Sequence, residues 1–224
     1  MSYFRGHWQL IALTGVVFAL WQTQVVLPLK LLVVFFHEFA HGAAAVLTGG
    51  EVLELSVSAQ QGGYAVTRGG SRFWILSAGY LGSLVIGLSL LLAALRSRAD
   101  RAILGGLGAL MILCCVLFIR ESFALVFCAF SGAAMMLAAW VLPRQVCDLI
   151  LRVIGVTSLL YAPYDIFDDT IRRAALRSDA RMLAEEVGGT TLMWGGLWLA
   201  VSALVILAAL RFALAPHSNL SSGR

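Results

Sequence analysis

Long apolar runs separated by short polar breaks set the pattern of this chain. Trp8 to Leu27 is the first run, interrupted by Gln22, Thr23 and Gln24. Pro28 and Lys30 break it from the second, Leu29 to Leu47. Phe73 to Leu95, Ala102 to Ile119 and Phe123 to Leu142 follow, with Arg96, Arg98, Asp100, Arg101, Arg120 and Glu121 in the breaks. Val146 to Ala162 is apolar apart from Asp148 and Arg152, which lie four apart and form a candidate helical ion pair. Leu192 to Leu214 is the last run, and Ala215 to Arg224 a short polar tail. A helix needs about 20 apolar residues to cross a bilayer core. The pattern therefore predicts an all-α polytopic membrane protein with six or seven spans. Residues 1–224 read as one membrane-embedded domain with a core at about 29–190.

Two segments break the apolar rhythm. After Thr48-Gly49-Gly50, residues Val52 to Ser58 roughly alternate, Gln60-Gln61-Gly62-Gly63 signals a turn, and Tyr64 to Thr67 can return as a partner strand. This predicts a small β hairpin at or near the membrane surface. Ile171 to Gly189 is the one clearly polar segment, and Ser178-Asp179 to Val187 within it suits an amphipathic surface helix. Within the third run, Gly79, Ser83 and Gly87 recur every four residues, a small-residue stripe that lets another helix approach closely.

Composition sharpens the membrane reading. The chain is 60% hydrophobic and only 12% charged, with a mean hydropathy of +0.89, whereas soluble domains average about 45–50% apolar and about 25% charged. A net charge of +4 spread over loops argues against nucleic-acid binding. Cys114, Cys115, Cys128 and Cys147 form no C-x-x-C pair and read as buried thiols. No cleaved signal peptide is expected, because the first run continues to Pro28 without a small-residue cleavage pattern.

The chemistry lies inside the second run, at Phe36-His37-Glu38-Phe39-Ala40-His41. Residues four apart on a helix lie one above the other. His37 and His41 can therefore offer imidazole nitrogens to a single ion, and Glu38 is close enough to serve as a base. This H-E-x-x-H spacing is the zinc-hydrolase arrangement, in which the Glu accepts a proton from the attacking water. Three fixed residues recur by chance in many helices, but here the setting adds weight. A charged residue at mid-membrane costs about 2.5–3.5 kcal/mol on insertion scales and so usually marks function. The bland reading is a polar patch that glues helices together. The other two histidines, His7 and His217, lie in terminal segments and read as solvated.

A catalytic zinc typically takes three protein ligands and leaves a position for water. The helix supplies two. With seven spans, the second and sixth runs end on the same membrane face, and carboxylates lie just beyond the sixth. Asp165 is the first choice for the third ligand, being nearest the membrane and close to Pro163, with Asp168 and Asp169 as alternatives.

The chain resembles the site-2 protease family of intramembrane zinc metallopeptidases, peptidase family M50, in its compact M50B-like branch. The resemblance rests on His37-Glu38-Phe39-Ala40-His41-Gly42, Thr48-Gly49-Gly50, Thr67-Arg68-Gly69-Gly70-Ser71-Arg72, Ser77-Ala78-Gly79-Tyr80-Leu81-Gly82 and Tyr164 to Thr170. It implies a zinc held by His37, His41 and a later Asp, with Glu38 as base, and cleavage of peptide bonds of membrane-associated proteins in or beside the bilayer. The chain departs from the best-known pattern in lacking an Asn-Pro pair and a Gly after Asp165. The hairpin is expected to offer an open edge to an unwound substrate strand, with Val52, Leu55, Val57, Tyr64 and Val66 as contact residues. A non-catalytic membrane scaffold keeping the same fold is the alternative from another class. An ion pathway through His37, Glu38 and the acidic cluster is a third.

Overall fold

The computed structural model describes residues 2–173, 176–213 and 218–219. Helix α1 spans Ser2–Ala19 and α2 Leu27–Leu47; strands β1 (Glu51–Val57) and β2 (Gly63–Arg68) follow. Then come α3 (Arg72–Arg96), α4 (Asp100–Phe118), α5 (Ser122–Val141) and α6 (Arg144–Phe167). A wider helical turn, Asp168–Arg172, extends α6 before the short α7 (Asp179–Val187) and the final α8 (Thr191–Ala208). Among the described residues, α2, α3, α4, α5, α6 with its extension, and α8 with the turn after it are long and apolar enough to span a bilayer. The protein is a multi-pass membrane protein, with six such candidate spans among the described residues.

The first apolar run is not one of them. Its helix stops at Ala19, and residues 20–26 are turns around Gln22, Thr23 and Gln24. Polar side chains there take the place of the lipid-facing residues a full span requires. Pro28 instead begins the next helix, at a position where a missing amide hydrogen costs nothing.

Burial orders the helices. Two thirds of the α2 span, 67%, lies inside the protein, against 17% for α5 and for α8. The helix carrying H-E-x-x-H is thus the central one, and α5 and α8 present most of their apolar surface outward. Leu31 to Phe36 on α2 join Leu55 and Val57 of β1, Leu104 and Met111 of α4, and Leu151 and Ile154 of α6 in one core. The stripe on α3 packs as read. A side chain at Gly87 would collide with Ser158, and one at Gly155 would lie 2.8 Å from the Gly87 carbonyl. Ser158 Oγ donates to the Ser83 carbonyl at 2.7 Å across the same seam.

The strands pair antiparallel, Glu51 with Arg68 through Val57 with Gly63, with a bulge between Val52 and Glu54. Ser56 Oγ donates to Glu121 at the start of α5, so β1 is fastened to the bundle. The Asp148–Arg152 pair forms, with Nε to Oδ1 at 2.7 Å. All four cysteines are free and buried. His7 departs from the expectation. It is 3% exposed, because residues 218–219 return over α1: Ser218 Oγ sits 2.8 Å from His7 Nδ1, and the Ser218 amide donates to the Gly6 carbonyl. His217 and most of the polar tail lie outside the described residues.

The α3–α6 seam leaves no room for a methyl group at its backbone contact. Gly155→Ala should destabilise the protein by about 1–3 kcal/mol, read as a lowered unfolding midpoint in detergent. An unchanged midpoint would mean the two helices are not in this register.

Candidate metal centre

Three helices build the site from three different sequence signals. On α2, His37 and His41 stack one turn apart, their rings 4.7 Å between centroids. On α3, Gly79 faces them: a β carbon there would lie 2.3 Å from His37 Nε2 and 2.6 Å from His41 Cε1. The first member of the small-residue stripe therefore does more than pack helices, since only glycine leaves space for both rings. From α7, the Asp179 carboxylate reaches in. Its Oδ2 lies 2.9 Å from His37 Nε2 and 3.1 Å from His41 Nε2.

The donor set can be tested for a cation. His41 Nδ1 lies 2.6 Å from the Ile75 carbonyl. A carbonyl only accepts, so Nδ1 carries the hydrogen, and the lone pair of the neutral ring is on Nε2. That lone pair and the Asp179 oxygen are both acceptors, and they repel unless a proton or a metal cation sits between them. A backbone carbonyl on the outer ring nitrogen is the usual way a metal-binding imidazole is oriented. One ligand atom from each of His37, His41 and Asp179 lies within 4.8 Å of the others, as a single ion requires. Two imidazoles and one carboxylate form a set suited to zinc.

Asp179 is held for this role by its own helix. Ser178 caps α7, its side chain accepting from the Arg181 amide. Ala180 and Leu183 seat the helix against Leu76, Tyr80, Ile166 and Trp198. Burial alone pushes the Asp179 carboxyl up; when the imidazoles carry the protons, the charge on His41 and the hydrogen bonds of both rings outweigh it and hold the group well below the usual carboxylate range.

The structure does not bring Asp165, Asp168 or Asp169 to the two imidazoles in Asp179's place. Asp169 accepts from the Tyr80 hydroxyl at 2.6 Å and from Arg173 at 2.8 Å. Asp168 pairs with the same guanidinium, 2.6 Å from its Nε. Tyr80, 1% exposed, sets its ring edge against His37 at 4.7 Å. These two carboxylates thus anchor a tyrosine that buttresses the first histidine. Asp165 and Asp169 line the same cavity as the histidines but lie outside the cluster of three ligand atoms.

That cavity, about 570 Å³, also holds Glu38 and is walled on one side by residues Gln61 to Val66. Glu38 is 5% exposed, and its Oε1 lies where a β carbon on Gly63 would come within 2.6 Å. The hairpin backbone therefore closes over the carboxylate. The expected substrate contacts divide. Tyr64 and Val66, 40% and 42% exposed, border the cavity on β2. Leu55 and Val57 are core residues, 3% and 1% exposed, because β1 lies against α2 and the bundle. Val52 packs on Gly42.

The model of the Peptidase M50B-like family matches residues 10–209. The chain belongs to that family. No curated protein and no solved structure matches the chain. The matched stretch of this M50B-like protein takes in all three helices of the centre, including α7, which the sequence reading left at the surface.

Gly79→Ala should remove the site without unfolding the protein. Its methyl group displaces both imidazoles, so bound metal should fall to near zero while helical content by circular dichroism is retained. Full metal content in this variant would contradict the placement of α3.

Proposed function

We propose that this M50B-like protein is a zinc-dependent intramembrane endopeptidase acting on membrane-associated protein substrates. The observation that carries the reading is the convergence of His37 Nε2, His41 Nε2 and Asp179 Oδ2 in a cavity shared with Glu38. M50 peptidases are generally zinc-dependent, which agrees with the donor set. His37, His41 and Asp179 would hold the ion, and zinc when bound supplies Lewis acidity toward a scissile carbonyl and lowers the pKa of water.

The chain's own residues do the rest. Glu38 takes the proton of the attacking water and returns it to the leaving amine. Its burial under Gly63 keeps bulk water from competing for that proton. Tyr80, fixed through Asp169 and Arg173, keeps the His37 ring in position. The free edge of β2 is where an unwound substrate segment adds as a strand. A helical peptide bond must be unwound before water can reach its carbonyl, and main-chain pairing at an open strand edge stabilises the extended form.

The roles separate in metal and cleavage assays. Asp179→Ala should lose zinc and activity together, whereas Asp165→Ala should keep zinc. Glu38→Gln should keep zinc and lose cleavage of co-expressed single-span reporter proteins by a factor of about 100 or more. Wild-type cleavage by Glu38→Gln would sink the mechanism, and a purified wild-type protein free of zinc would return the chain to the scaffold reading.

A further inference from the structure

One face of α3 meets all three elements of the centre. Gly79 makes room for the two imidazoles, and the Ile75 carbonyl takes the hydrogen of His41 Nδ1. Arg72, a further three residues back and so on the same face, grips α7. Its Nη2 donates to Glu186 Oε1 at 2.7 Å, and its Nε lies 3.2 and 3.1 Å from the two carboxylate oxygens. Glu186 stands seven residues after Asp179, two turns along α7 on the same side of the helix.

What α7 lacks by itself is a fixed orientation. It has nine residues, fewer than an isolated helix needs to persist in water. It ends on Gly188 and Gly189, both with positive φ, 99° and 88°, a conformation glycine adopts without strain and without a side chain to fix the helix end. The apolar seat of Ala180 and Leu183 holds the helix down, but hydrophobic contact is non-directional. A forked guanidinium on a carboxylate is directional. We propose that the Arg72–Glu186 pair is a positioning device for the metal centre. It sets the rotation of α7 against α3, so that Asp179 meets the two imidazoles α3 already orients.

This inference rests on Asp179 being the third zinc ligand. The pair is half-exposed, with side chains 47% and 39% accessible, and exposed pairs contribute little to overall stability. Its effect therefore belongs in the metal affinity and not in the fold. An internal control lies next door. Glu185 carries the same charge on the same helix and pairs with Arg181 of α7 itself, at 3.0 Å.

The test is zinc affinity of the full chain in detergent, by chelator competition, at matched helical content. Glu186→Gln and Arg72→Gln should each weaken zinc binding roughly threefold to tenfold, while Glu185→Gln should stay within about twofold of wild type. The exchange Arg72→Glu with Glu186→Arg should recover most of the loss. Equal affinities for Glu186→Gln and Glu185→Gln overturn the proposal, as does an exchange variant no tighter than the single variants. If Asp179→Ala keeps its zinc, the ligand assignment itself fails. If Asp179→Ala loses zinc but Glu186→Gln matches its control, only the positioning role fails.

Discussion

Two imidazoles on one helix make only part of a metal site, and much of this fold is arranged around that pair. His37 and His41 come together at no cost, because the helical repeat stacks them. A third group must then be carried to the same point by a different part of the chain, inside an environment where an unpaired polar atom is expensive. The neighbours of α2 have features that serve this end. α3 has no side chain at Gly79 and offers the Ile75 carbonyl to His41. The turn after α6 braces Tyr80 through Asp169, and Tyr80 braces His37. α7 brings the carboxylate.

Much of this was legible in the sequence, for physical reasons that can be named. Apart from the first, which Gln22, Thr23 and Gln24 interrupt, the apolar runs had no alternative to spanning helices, and the alternation after Gly50 had few alternatives to a hairpin. The spacing of His37, Glu38 and His41 is a helix-surface property and needs no tertiary information. Asp148 with Arg152 is the same kind of local signal, and that pair forms. His7 was read as solvated because nothing local reveals that residues 218–219 fold back over it.

Asp179 was missed for a more instructive reason. An Asp just after a Ser at the start of an amphipathic helix looks like part of a cap, and Ser178 does cap α7. The same position also points a carboxylate off the helix end, here into the cavity. Asp165, at the end of α6, does line the cavity. What the depth argument could not show is that a carboxylate from a later helix, Asp179, comes closer to the two imidazoles. The signal that could have found Asp179 is the coincidence of a strong cap and a nine-residue helix immediately after a membrane face.

A ligand carried by an interfacial helix also makes energetic sense. A carboxylate built into a span has to enter the bilayer with it, at about 2.5–3.5 kcal/mol near the centre. Asp168 and Asp169, beside the membrane face, are compensated by Arg173 and, for Asp169, by Tyr80. Satisfied carboxylates of that kind brace a site well but are not free to serve it. Asp179 avoids the conflict. It begins a helix outside the spans, and its charge is met by the imidazoles when α7 docks. The docking is driven by Ala180 and Leu183, residues that need no polar partner. The seating of α7 and the meeting of its carboxylate with the two imidazoles are then one event.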